Sequence, residues 1–154
     1  MIESPNREAK RVKFRNQVSQ EIAEIDLRQL AFDLHGKNFR DAYLDTSLCW
    51  IIRSQVRLIR EDRGWTQEEL ADKAGVSFAT INRLEHLEVA SYNPQIGTLL
   101  KLADAFDVAL IVRFEAWSQY LAWLAEIKVR GVDALIPKTL NDEWPELEKW
   151  ATQT

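Results

Sequence analysis

Residues 64–85 read GWTQEELADKAGVSFATINRLE, and this stretch decides the fold. Thr66 stands ahead of a run of helix formers with Glu69 three positions on. At that spacing a hydroxyl and a carboxylate satisfy each other's orphan backbone donors at a helix start. Leu70 and Ala71 turn inward, and Ala71 is small where a second helix must cross closely. Gly75 suits the left-handed conformation of a tight turn between helices, Val76 fills the corner, and Ser77 is placed to cap the second helix. On that helix Ile81 and Leu84 face a core, which leaves Phe78, Ala79, Thr80, Asn82 and Arg83 outward. A plain helical hairpin would explain the apolar positions. It does not require Gln67, Ser77, Thr80, Asn82 and Arg83 together on one outward face.

Upstream, Asp45 or Ser47 is a candidate cap for a helix running through Trp50, Ile52, Val56 and Ile59 to Arg63, with Gly64 as its stop. Before it, residues 16–34 place Val18, Ile22 and Ile25 at helical spacing, which predicts one amphipathic helix ending at Gly36. Downstream of the quoted stretch, whose own two helices fall at 67–73 and 78–86, helices are expected over 94–106 and 117–128. Between these two, residues 108–114 read VALIVRF, short and rich in β-branched residues, and predict a strand. The stripe Trp117, Tyr120, Leu121, Leu124 and Lys128 reads as core, and Trp123 lies off it, which hints at a subunit contact. The tail carries Pro137 and Pro145 and is expected to end in a short helix over 146–151, packed on something, because Trp144 and Trp150 are costly to expose.

These residues resemble the lambda-repressor-like helix-turn-helix family, also called the xenobiotic-response-element family, over about 52–106. The resemblance rests on the spacing Ile52, Val56, Ile59, the start Thr66 to Ala71, the Gly75 turn, Ile81 with Leu84 and Glu85, and the run from Asn93 and Pro94 to Ala103. It implies an all-α domain of five helices whose second motif helix enters the major groove of duplex DNA. On that basis Phe78, Ala79, Thr80 and Arg83 are base readers, Asn82 lies at the edge of the reading face, Ser77 starts the helix, and Gln67 holds a backbone phosphate. Arg83 can donate two parallel hydrogen bonds to a guanine, worth roughly 1–3 kcal/mol of discrimination. The resemblance also implies that Arg60 and Glu85 form an ion pair tying two helices together. One departure stands out. Residues 86–92, HLEVASY, are longer than the family's usual loop and lack its glycine, so the backbone contacts made there do not carry over.

Composition sets the outer bounds. The chain has 154 residues, 46% hydrophobic and 29% charged, as expected of one globular domain with appendages. No run approaches the roughly 20 apolar residues of a membrane span, and the polar start has no secretory h-region, so a cytoplasmic protein is expected. The single Cys49 forms no internal disulfide and reads as a small buried residue. With only His35 and His86 beside it, it assembles no metal site. No positioned nucleophile and base and no phosphate-cradling glycine loop is present, so neither an enzyme nor a cofactor is expected.

Net charge is −4, which does not favour nucleic acid when read as one number. Its distribution differs. Residues 1–15 carry five basic side chains (Arg7, Lys10, Arg11, Lys13, Arg15) against two acidic, whereas 50–114 hold eight basic and nine acidic. The basic start reads either as a solvated tail or as an arm following a phosphate backbone or a minor groove.

The expected organisation is a basic arm and helical extension over 1–48, a DNA-binding domain over 49–107, and a strand with C-terminal helices for dimerisation or partner binding over 108–154. The expected function is a sequence-specific transcriptional regulator, a repressor acting as a homodimer on an inverted-repeat operator in double-stranded DNA. A strand pairing with its copy would hold the dimer. Two alternatives are an antitoxin that also binds a toxin protein and a pure protein-interaction module on the same scaffold.

Overall fold

The computed structural model describes residues 4–86 and 94–153. The described residues form eight α-helices: α1 (Pro5–Ala23), α2 (Leu27–Asp33), α3 (Lys37–Asp62), α4 (Gln67–Ala74), α5 (Phe78–Glu85), α6 (Ile96–Phe106), α7 (Trp117–Arg130) and α8 (Leu140–Gln153). A 3-10 turn, Gly131–Leu135, follows α7. The all-α architecture with its short motif helices is as the sequence implies. None of these helices is long and apolar enough to cross a membrane.

The spine is α3. Its 26 residues make a rod of about 39 Å at 1.5 Å per residue, and its opposite faces serve two cores. Cys49, Val56 and Ile59 pack with Leu70, Ala71, Ala74, Ile81, Leu84, Leu102 and Phe106 of α4 to α6. Leu58 turns the other way and joins Phe14, Val18, Ile22, Leu30, Leu34, Leu124, Ile127, Val132 and Leu135. The second core therefore draws on both ends of the sequence. It is laced by Trp50 Nε1 donating to Glu21 at 2.6 Å and by Gln55 Nε2 donating to the Leu135 carbonyl at 3.1 Å. Tyr43 and Tyr120 share a 3.1 Å hydroxyl contact; burial first, and that contact second, push the Tyr43 phenol well above its ordinary range.

Several sequence expectations are corrected here. The helix expected over 16–34 is two helices, because the Asp26 carboxylate accepts from the Arg28 and Gln29 amides and starts a new one. Helix α1 begins eleven residues earlier than expected, at Pro5, whose fixed φ suits a first turn, so the basic start is a helix and not a tail. Helix α3 begins at Lys37, since the Ser47 hydroxyl donates back to the Leu44 carbonyl inside the helix instead of capping it. Gly36 lies at the α2–α3 junction and donates to the Asp33 carbonyl.

The strand over 108–114 is absent. The segment is not helical and forms no ladder, because the described residues supply no second strand beside it; Ile111, Val112 and Phe114 are exposed. The closing helix α8 is also longer than expected, started by the Thr139 hydroxyl accepting from the Asp142 amide, and includes Pro145. It is tethered where the Leu140 amide donates to the Asp107 carbonyl at 2.9 Å. The expectation that its tryptophans are packed fails within this chain: Trp144 is 56% and Trp150 67% exposed.

Candidate nucleic-acid interface

The local chemistry of α4 and α5 sets the geometry of this surface. Thr66 Oγ1 accepts from the Glu69 amide at 3.0 Å, and Glu69 Oε2 accepts from the Thr66 amide at 2.7 Å, closing the capping box. That amide bond, more than any other cause, holds the Glu69 carboxyl below its ordinary value. Gly75 has φ +63° with nothing within 4 Å of an added Cβ, so backbone conformation and not space demands glycine there. The Val76 amide donates to the Ala71 carbonyl at 3.0 Å, and Ser77 Oγ accepts from the Thr80 amide at 3.1 Å, starting α5 at once. Leu70 and Ile81 are fully buried beneath this turn.

Burial orients α5. With Ile81, Leu84 and Glu85 buried, Ser77, Phe78, Ala79, Asn82 and Arg83 are exposed and Thr80 is half-buried. Phe78 keeps 46% of its surface in solvent. The hydroxyls of Ser77 and Thr80 lie 2.9 Å apart, so both are engaged locally at the tip of the helix.

The expected ion pair is present. Arg60 Nε and Nη2 donate to Glu85 Oε1 and Oε2 at 2.5 and 2.9 Å, and Arg60 Nη1 donates to the Trp65 carbonyl at 2.7 Å. Arg60 and Glu85 are both buried, and a fork-to-carboxylate geometry of this kind fixes orientation as well as distance. Gln67 completes the network: its Nε2 donates to Glu85 Oε2 at 2.9 Å and its Oε1 accepts from Asn82 Nδ2 at 3.4 Å. The first residue of α4 and the outer edge of α5 are thereby locked to α3. Of the expected site residues, Phe78, Ala79, Thr80, Asn82 and Arg83 share one face of α5, Ser77 stands at its tip, and Gln67 lies alongside. The loop reading for 86–92 falls, apart from His86, outside the described residues.

Sequence reasoning missed one set of neighbours. Arg7 Nη2 donates to the Gly64 carbonyl at 2.7 Å, and Arg7, Lys10 and Arg11 of α1 line a cavity of about 300 Å³ together with Gln67 and His86. The excess of cations over 1–15 was the available signal, but nothing local said where α1 would dock. Cys49 is buried as expected, and burial pushes its thiol up, away from reactivity. Among the described residues no group of three or more His, Cys, Asp or Glu side chains gathers into a metal site.

Comparison with known proteins agrees with this geometry. A family model described as Helix-turn-helix matches residues 56–112. The chain is 30% identical over 73 residues to antitoxin HipB of Escherichia coli K12, an alignment covering 47% of this chain and 75% of that protein. Antitoxin HipB of Escherichia coli strain CFT073 gives the same identity and length, with 70% of that protein covered. An uncharacterised HTH-type transcriptional regulator of Archaeoglobus fulgidus is 39% identical over 59 residues, covering 38% of this chain and 80% of the relative. No solved structure matches. With the capped turn, the buried Arg60–Glu85 pair and an outward α5 in place, and with relatives matched over most of their length, the chain belongs to the xenobiotic-response-element type of the helix-turn-helix family of DNA-binding regulators.

Proposed function

We propose that the protein is a sequence-specific transcriptional repressor, acting from the cytoplasm without catalysis, as a two-fold dimer on an inverted-repeat operator. The observation that carries this reading is the division of α5, in which Ile81 and Leu84 are buried while Phe78, Ala79, Asn82 and Arg83 are exposed on a helix held rigid by Arg60, Glu85 and Gln67. In the major groove Arg83 reads a guanine, Phe78 meets a thymine methyl, and Ala79, Thr80 and Asn82 complete the reading face. Gln67 and the tip of α5 at Ser77 set the register on the phosphates. The dimer rests on the segment after α6, whose exposed Ile111, Val112 and Phe114 suit pairing with a second copy.

A second reading, autoregulating antitoxin, has its own support. Two of the similar proteins are named antitoxins, and α8 presents exposed Leu140, Trp144 and Trp150, an apolar face suited to a toxin protein. Both readings share the DNA step. Purified protein is offered a duplex from upstream of its own gene and a scrambled duplex at two salt concentrations, with Arg83→Ala beside it and light scattering for mass. The expected result is a dimer that prefers the upstream duplex and a variant that loses chiefly that preference. No retention of either duplex at low salt would sink the regulator reading, and a monomer with and without DNA would remove the dimer.

A further inference from the structure

A DNA-binding surface needs positive potential, and here the motif helices lack it: α4 carries Glu68, Glu69 and Asp72 against Lys73, and α5 carries Arg83 against the paired Glu85. The largest local excess of cations in the sequence lies on α1.

The first turns of α1 are fixed in space. Phe14, Val18 and Ile22 are buried in the second core, and the Arg57 guanidinium of α3 lies 4.0 Å over the Phe14 ring. At its outer end Arg7 grips the Gly64 carbonyl, two residues before the Thr66 cap of α4. Arg7, Lys10 and Arg11 thus form one wall of the 300 Å³ cavity whose other walls include Arg57, Gln67 and His86. Of its two carboxylates, Glu85 is engaged through both oxygens by Arg60, and Glu61 through Oε1 by Arg57 at 2.9 Å, its buried Oε2 accepting no hydrogen bond among the described residues. The lining holds five cationic side chains against these two carboxylates, three of the five from α1, and of those three Arg11 lies 4.0 Å from Asp62 while Lys10 is exposed. A cavity lined by guanidinium, ammonium and amide groups suits an anion, whereas ligand pockets for apolar molecules are lined mainly by hydrophobic side chains. Gln67 opens α4, where the helix N-terminus adds partial positive charge.

We propose that α1 is a preformed phosphate clamp: Arg7 and Lys10, with Arg11 behind them, grip the backbone of the same duplex that α5 reads, extending the contact that begins at Gln67. The proposal rests on the DNA-binding reading above. The duplex that fills the α5 face carries its backbone past Gln67, and the cavity continues from Gln67 to Lys10. Because α1 is already folded and anchored, the clamp orders no disordered arm on binding. Its contribution is independent of base sequence and sensitive to salt, whereas that of Arg83 depends on sequence.

The test measures affinity for the upstream and scrambled duplexes across a salt series. Lys10→Gln is the first variant because Lys10 is exposed, whereas Arg7 also ties α1 to Gly64. Lys13→Gln makes the same charge change on the same helix outside the cavity. Lys10→Gln is expected to weaken both duplexes by the same factor, roughly fivefold to tenfold near 0.1 M salt, and to lower the slope of log affinity against log salt by about 0.9. Lys13→Gln moves that slope much less, and Arg83→Ala lowers the preference for the upstream duplex. Wild type that binds, with Lys10→Gln and Lys13→Gln shifted equally or not at all, overturns the clamp and leaves the regulator standing. Wild type that retains neither duplex removes both.

Discussion

The helix-turn-helix and the helical flank beside it are closed by the same kind of aliphatic core, yet their boundaries are set differently. Around α4 and α5 each boundary is written within a few residues: Thr66 with Glu69, Gly75 at φ +63°, and Ser77 with the Thr80 amide. In the flank, α1, α2 and α7 are held by partners far along the chain. Gln55 meets the Leu135 carbonyl, Tyr43 meets Tyr120, and Lys128 reaches the Ala23 and Ile25 carbonyls. The surface proposed to meet base edges is assembled from short-range constraints, while the support behind it is assembled from long-range ones.

The strongest way to break this contrast is to hollow each core in turn. Ile81→Ala and Ile22→Ala remove the same atoms from nearly inaccessible sites, and each is expected to cost about 2–5 kcal/mol in denaturant unfolding. The functional consequences should diverge. Ile81→Ala loosens α5 and abolishes discrimination between the upstream and scrambled duplexes. Ile22→Ala loosens α1 and weakens both duplexes together while keeping their ratio. If both variants lose discrimination equally at a temperature where both are folded, the two regions are one cooperative unit and the division fails.

The contrast also explains what the sequence made legible. Capping box, turn glycine and second cap are local chemistry, so α4 and α5 could be placed closely. The resemblance supplied the Arg60–Glu85 pair, which spans 25 residues and which periodicity alone would not reveal. The flank was harder. Phe14, Val18 and Ile22 stand at four-residue spacing, but the surrounding cations obscured the start of α1. Ser47 looks like a cap, yet in the interior of α3 its hydroxyl turns to a backbone carbonyl. The VALIVRF segment has strand-forming residues, but a ladder needs a second strand, and the described residues provide none beside it. Of the candidate site, the reading face of α5 and Gln67 were named from sequence; the position of Arg7 and Lys10 beside them depends on how α1 packs.

A smaller effect sharpens the local half of the comparison. At Gly75 an added Cβ meets nothing within 4 Å, so Gly75→Ala should cost only the left-handed backbone penalty, about 1–2 kcal/mol. Gly75→Asn should cost less, because asparagine tolerates that region better. Thermal unfolding of the pair separates the explanations: equal losses for Ala and Asn would mean that unseen crowding, and not φ, selects glycine.

The smallest expected effect lies at Glu69, where the two regions touch. Its carboxyl is held below the ordinary value first by the Thr66 amide, with lesser help from the Thr66 side chain, Arg7 and Lys73. A carboxyl whose folded value is depressed contributes stability above its unfolded pKa, and that contribution is lost as pH falls through the folded value. Wild type should therefore exceed Glu69→Ala in stability at neutral pH, and the gap should close in acid. Because Arg7 belongs to α1, undocking α1 with Ile22→Ala should raise the Glu69 titration slightly, as read by NMR of its side chain, while the amide bond keeps it below the ordinary range. A titration unmoved by Ile22→Ala would mean that the capping box is insulated from the flank and that α1 reaches the reading surface only through the phosphates it grips.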